Sequence, residues 1–312
     1  MFCINLQSKD PFFNLAIEEY LLKNSKSEFL ILYINSPSVI IGKHQTGHRE
    51  VNTRFVTLNN IPVIRRISGG GTVYHDQGNL NFSFIRECET GKQIDFPKYT
   101  QPVIGFLKSM DVDARFEGKN DLKVGGLKIS GNAEHIHRNR VLHHGTLLFS
   151  TSFGNLRNSI RHDTSSYSSR AVASNPSKVT NLNELISGYD MEEFRAEMIS
   201  YFTKTFDDIV SIELTEAEIE AARSISLTKY RTWEWNWAYG PEYIFNNSFI
   251  HNNSLHQCRL FVKDGLIVEC NIDGSNQLKN LSMKLVGCRH MTEDLSDLFR
   301  REKVDIDVFD FF

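Results

Sequence analysis

Cysteine is scarce in this 312-residue chain and falls into no metal-binding or disulfide pattern. Cys3, Cys88, Cys258, Cys270 and Cys288 make an odd count without a Cys-x-x-Cys. That argues against a disulfide framework and a zinc ribbon and fits a reducing compartment. No run of 18 apolar residues occurs, so no membrane span is expected. The first ten residues lack a basic start followed by a long apolar run. A signal peptide is therefore not expected, and a cytoplasmic site is. The net charge is −3 and basic residues never gather into a long run, which gives no sign of a nucleic-acid partner. Two phosphate-binding patterns are missing as well: there is no Gly-x-x-x-x-Gly-Lys-Ser/Thr, and no Gly-x-Gly-x-x-Gly opens a helix after a strand. We find no internal repeat.

What remains is an ordinary globular composition, 40% hydrophobic and 23% charged, long enough for one large or two ordinary domains. Its most informative stretch is Arg65-Arg66-Ile67-Ser68-Gly69-Gly70-Gly71-Thr72-Val73-Tyr74-His75-Asp76-Gln77-Gly78-Asn79. Three glycines free the backbone for positive φ and let a ligand approach bare amides. Glycine clusters usually mark plain turns, but two arginines precede this one, planar donors suited to phosphate or carboxylate. The alternation at 72–74 and 80–85 around a turn-prone segment predicts a β-hairpin, with the basic groups at the mouth of the glycine loop.

Along the chain, Asp10-Pro11 predicts a helix start with Phe13, Ile17, Tyr20 and Leu21 on one face. The apolar runs at 29–34 and 39–41 read as strands. Lys43 and His44 follow at a strand end and are most simply solvated loop residues. A helix is expected over 96–110. Asn120-Asp121 marks a turn and Gly125-Gly126 a hairpin tip. Lys128, between Leu127 and Ile129, could be only the exposed member of an alternation; the small residues Ser130-Gly131-Asn132-Ala133 after it favour a ligand site. His135, His137, His143 and His144 could suggest metal, yet no cysteine is near and the intervening segment is cationic. His143-His144 reads as a turn into a buried strand. The Ser- and Asn-rich stretch 154–181 reads as a long functional loop. Helices are expected over 190–206, with Asp190 and Glu193 as a capping box, and over 215–224. The aromatics at 233, 235 and 237 predict a strand. From residue 241 strands with polar tips and one closing helix near 283–299 suggest a separate α+β unit. The expected domains are therefore 1–240 and 241–312.

Together, the glycine-loop motif, Asn120-Asp121-Leu122, Lys128-Ile129-Ser130-Gly131-Asn132-Ala133, His143-His144-Gly145-Thr146-Leu147-Leu148, Val179-Thr180-Asn181-Leu182 and Trp233-Glu234-Trp235 resemble the lipoate–protein ligase A/lipoyltransferase family over nearly the whole chain. The resemblance implies an α+β fold related to biotin ligases and class II aminoacyl-tRNA synthetases, with a small α+β C-terminal accessory domain. It implies that lipoate and ATP give lipoyl-AMP, from which the lipoyl group passes to a lysine of lipoyl-domain carrier proteins: acyltransferase subunits of 2-oxoacid dehydrogenases and the glycine cleavage H protein. Carried over by motif, Lys128 is the catalytic residue. Arg66, Gly71, Thr72, Val73, Tyr74 and Lys128 bind ATP or the adenylate. Ser68, Gly70, Gly71, His75, Lys128, Ala133, His144 and Gly145 bind lipoate. Asp121 is a candidate ligand for Mg²⁺, and a monomer is expected. An electrostatic role for Lys128 also follows from the chemistry, because charge builds first at phosphorus and then at the acyl oxygen. The chain has no cysteine between Cys88 and Cys258, which opposes a thioester-forming transferase. The segment Ala173-Ser174-Asn175-Pro176-Ser177-Lys178 resembles a lipoyltransferase subgroup that moves the lipoyl group from lipoyl-AMP or between carriers without efficient ATP activation. A non-catalytic module that only holds a lipoylated partner is the remoter alternative.

Overall fold

The computed structural model describes residues 1–89, 94–206 and 208–312. Its centre is an eight-stranded sheet in the order Val210–Ser211, Phe2–Asn5, Phe29–Ile34, Asn79–Glu87, Arg140–Leu148, Leu127–His137, Asp121–Val124 and Arg115–Glu117. The first two pairings are parallel and the rest antiparallel. Every residue of Phe29–Ile34 is buried, as expected of a strand covered on both faces. One face carries helices Phe96–Ser109 and Met191–Thr205, whose Val103, Phe106, Phe194 and Phe202 pack on Phe84 and Val141. The other carries Pro11–Asn24 and Glu216–Ile225, with Ile17 and Leu21 over Ile31, Ile85 and Leu142. The first helix starts as predicted: the Asp10 carboxylate accepts from the Phe12 amide at 3.0 Å and Pro11 occupies the first turn.

A three-stranded sheet, Val63–Arg65, Ser38–Ile41 and Val73–His75, stands against the large one. The hairpin expected at 72–85 does not form. Val73–His75 pairs with Ser38–Ile41, and Asn79–Glu87 pairs inside the large sheet. The turn between them hands the chain from one sheet to the other because Asp76 ties it elsewhere. Its Oδ1 accepts from Gly78 N and its Oδ2 from Ser152 N, both at 2.9 Å.

Strands Tyr167–Ser169, Tyr243–His251, Ser254–Lys263 and Leu266–Ile272 make a third sheet. The part of it beyond residue 240 packs on helices Asn276–Leu285 and Thr292–Glu302, two where one was expected. Gly287, with φ of +89°, follows the first of them, where a left-handed turn suits glycine. The stretch 154–181 holds most of helix Phe153–Ser159 and the strand Tyr167–Ser169. His143 and His144 lie within a continuous strand rather than at a turn.

The tryptophan segment is not a strand but a single helical turn, Glu234–Ala238, entered at Trp233. Residues two apart on a helix point to opposite sides, so the rings find separate neighbours. Trp233 lies under the Arg289 guanidinium at 4.3 Å, Trp235 donates to Arg65 O at 2.7 Å, and Trp237 stacks on His48 at 4.3 Å. The Asn236 amide, donating to the Tyr230 and Thr232 carbonyls at 2.6 and 3.0 Å, fixes that local curl.

Candidate active site

The glycine turn is wound around Arg66. This side chain, 5% exposed, donates from Nε to Ser68 Oγ (3.0 Å), from Nη1 to Ile40 O (3.2 Å) and from Nη2 to Gly69 O and Gly71 O (2.6 and 2.8 Å). Gly70, between those two carbonyls, has φ of +87°, where glycine alone is unstrained. Gly42 allows the close approach of the neighbouring strand end: a Cβ there would stand 2.1 Å from Gly70 O. Arg65 is fully buried and spends its donors on the carbonyls of Gly42, Lys43, Gln45, Trp235 and Asn236. Neither arginine therefore stands at a mouth as expected from sequence. A guanidinium has five donors to satisfy, and crowded loop carbonyls satisfy them here. Burial lowers both groups to about 10, so they stay cationic at neutral pH.

Lys128 begins the opposite wall. Asn120 and Asn132 each donate from the side-chain amide to the other's backbone carbonyl, which holds the 120–122 turn beside strand Leu127–His137. Asp121 then meets Lys128 Nζ at 2.8 Å. The segment 171–180 straps the two walls together. At one end Lys128 N donates to Lys178 O (2.8 Å) and Thr180 N donates to Lys128 O (3.1 Å). At the other, Ser174 Oγ accepts from Thr72 N (2.9 Å) and Gln45 Nε2 (3.0 Å) and donates to Glu50.

A buried polar network backs the inner end. Glu18, on the first helix, accepts from Tyr33 Oη (2.8 Å), from Ser83 Oγ and from His144 Nδ1 (2.9 Å). Burial works to raise the Glu18 carboxyl, but the neighbouring His144 and these hydrogen bonds outweigh it and hold it below the ordinary value. His144 Nε2 accepts from the Ser68 hydroxyl (2.6 Å), so the chain from Glu18 to Arg66 is continuous. A second chain runs through Asn14 Nδ2, which donates to Asn35 Oδ1 (2.8 Å), while Asn35 Nδ2 donates to His75 Nδ1 (2.9 Å).

Between these walls lies a cleft of about 660 Å³, the size of a small-molecule site. Lys128, Asp121, Arg66, His75, His144 and Ala133 all line it, as do Gly70, Gly71, Thr72, Val73 and Gly145. Ser68 sits one layer back, between Arg66 and His144. Tyr74 does not line the cleft. Strand alternation turns it the other way, into the cluster with Val39, Val51 and Val56. Sequence reading missed Glu18, Tyr33 and Asn81, and noted Ser174 only as part of the segment 173–178, with no role in the site. The pair Glu18-Glu19 inside an otherwise apolar helix was the one visible sign. Among the described residues no cluster of three or more His, Cys, Asp or Glu is placed to hold a metal.

Comparison with known proteins points one way. Residues 10–203 match the family described as lipoyl protein ligase A/B catalytic domain. Lipoate–protein ligase 1 of Staphylococcus aureus is 37% identical over 304 residues, 95% of this chain and 92% of that protein. A Thermoplasma acidophilum protein solved with bound lipoic acid is 27% identical with a TM-score of 0.64, covering 75% of this chain and 98% of that one. A lipoate–protein ligase A structure bound with ATP has the same identity and TM-score, covering 75% and 97%.

Proposed function

The chain belongs to the lipoyl protein ligase A/B family and its function is lipoate–protein ligation, and from that premise we propose that it works in two ATP-dependent steps. The lipoate carboxylate attacks the α-phosphorus of ATP, forming lipoyl-AMP and releasing pyrophosphate. A carrier lysine amine then attacks the acyl carbon, the acyl–oxygen bond breaks, and AMP leaves with the lipoamide formed. The observation that carries this reading is the placement of Lys128 in one cleft with Gly70 and Gly71 of the glycine turn.

In this reading Lys128 faces the acyl carbonyl and α-phosphate oxygens and stabilises the charge that develops there, an effect typically worth about 3 kcal/mol per well-placed group. Lys128 is a fixed cation rather than a nucleophile. Arg66 shapes the turn and adds positive potential to the wall, while Gly71, Thr72 and Val73 receive the nucleotide. The inner end, with Ala133, His144 and Gly145, takes the lipoyl chain. Mg²⁺ fits as a companion of the triphosphate: Asp121 is a cleft carboxylate able to bind it alongside phosphate oxygens and water, and bound Mg²⁺ would share the phosphate charge. Residues 1–240 would carry the catalysis and 241–312 would serve as an accessory unit. The acceptors are lipoyl-domain proteins.

The test is stoichiometric. Protein given ATP, Mg²⁺ and lipoate should release one pyrophosphate per lipoyl group later found on a lipoyl domain. Transfer from supplied lipoyl-AMP without any pyrophosphate release from ATP would favour the transferase reading instead.

A further inference from the structure

The inner end of the cleft contains a buried polar group with no hydrogen-bond partner among the described residues. His75 is 4% exposed and lines the cleft. Its Nδ1 accepts from Asn35 Nδ2 at 2.9 Å, and Asn35 is itself oriented by the amide of Asn14 at 2.8 Å. That chain fixes the tautomer: the proton is on Nε2. The Nε2–H edge lies opposite the Asn35 contact and is buried without a partner among the described residues. Burial, reinforced by Arg66 and His144, pushes His75 down to about 3, so the ring is a neutral donor. A buried N–H with no acceptor is unfavourable until something supplies one.

The position along the cleft matters. Lys128 and Asp121 occupy the partly exposed end. Ala133, five residues further along the same strand, is opposite His144, about 16 Å away at about 3.3 Å per residue. His75, Tyr33 and Asn81 share this buried half. A carboxyl held at Lys128 therefore sends the far end of its chain toward His75.

We propose that the His75 Nε2–H selects the acyl chain, favouring an acid whose far end carries sulfur, as in a dithiolane, over a straight-chain acid with the same number of carbons. Sulfur is a weak, polarisable acceptor. A terminal methyl accepts nothing and leaves the donor stranded. A site built around a hydrogen-bonding group rejects the analogue that lacks the partner more strongly than a greasy pocket rejects a methylene. This inference rests on the ligase reading and adds to it the group that discriminates between lipoate and octanoate.

The experiment measures Kd for lipoate and octanoate by calorimetry on the full chain, with kcat/KM for both acids alongside. Variants are His75→Leu, which removes the donor, and His75→Gln, whose amide restores one near the same place. We expect the intact protein to prefer lipoate and His75→Leu to lose about tenfold of that preference, the equivalent of about 1.4 kcal/mol. His75→Gln should recover most of it. Because both acids meet the same protein sample, a partly unfolded variant does not distort the ratio. An equal fall for both acids, or an unchanged ratio in His75→Leu, overturns the proposal, as it would if a trapped water were satisfying His75. Normal binding with no activation of either acid would count against the ligase reading while leaving the His75 ratio readable.

Discussion

At the scale of single residues the site depends on charges held where water cannot reach them. Glu18 is the clearest case: it is 1% exposed and accepts from three side chains. Glu18→Ala would strand His144, Tyr33 and Ser83 together. We predict a loss of about 3–5 kcal/mol of stability, since each of the three buried donors left unsatisfied costs roughly 1–3 kcal/mol, read as a lower urea midpoint. Its carboxyl is held below the ordinary 4.5, so the stability it adds is present above that pH and is lost as pH falls through its lowered folded value. Little of this could be read from the chain. Lys128, His144 and the glycine turn lie in recognisable motifs, but Glu18 is made important by residues 15 to 126 positions away. Arg65 and Arg66 show the opposite error. Their chemistry suggested a mouth, and burial among carbonyls made them internal struts.

At the scale of elements the strap 171–180 joins the glycine turn to the lysine strand. Ser174 pins one end by capping the Thr72 amide, and Gly71 leaves room for it: a Cβ at Gly71 would lie 3.1 Å from Ser174 Oγ. Ser174→Ala should make amides of 171–178 exchange several-fold faster, a loss of about 1 kcal/mol of local stability, measured by hydrogen-exchange mass spectrometry. It should also let more adenylate escape, seen as AMP formed without carrier. Unchanged exchange would show that the serine pins nothing. Most helices were legible because caps and periodicity are local signals: Asp190 and Glu193 form the capping box that the sequence indicates. The tryptophan segment was not, since period-two aromatics fit a strand as well as a curl held by Asn236. The missing hairpin at 72–85 has a similar cause, for Asp76 is tethered to a residue 76 positions on.

At the scale of the whole molecule the C-terminal sheet meets the rest of the chain at a seam of buried histidines. His48 Nε2 donates to His290 O (2.7 Å), Tyr243 Oη donates to His290 Nδ1 (2.5 Å) and His290 Nε2 donates to Phe311 O (2.7 Å). Burial pushes His290 from 6.5 down to about 4 and lowers His48 well below its ordinary value. A depressed histidine adds nothing unfavourable above 6.5. Below it the unfolded chain takes up the proton first, so stability falls with pH until the folded value is reached. Between pH 7 and pH 5 His290 alone should account for about 2 kcal/mol of lost stability. His290→Gln should show a correspondingly smaller loss in urea unfolding at the two pH values; an identical loss would remove His290 from the account. The sequence suggested a boundary near residue 240, yet Tyr167–Ser169 joins the C-terminal sheet from well before it. A pairing of three residues leaves too little pattern to see in advance.

The most direct measurement of the central claim is single-turnover pyrophosphate release from ATP and lipoate, comparing the unaltered protein with Lys128→Ala at matched folded fraction. The account predicts a burst from the unaltered protein and a rate lowered at least about 100-fold in the variant, the size expected when a preorganised charge is withdrawn. A variant that releases pyrophosphate at a near-normal rate would contradict it.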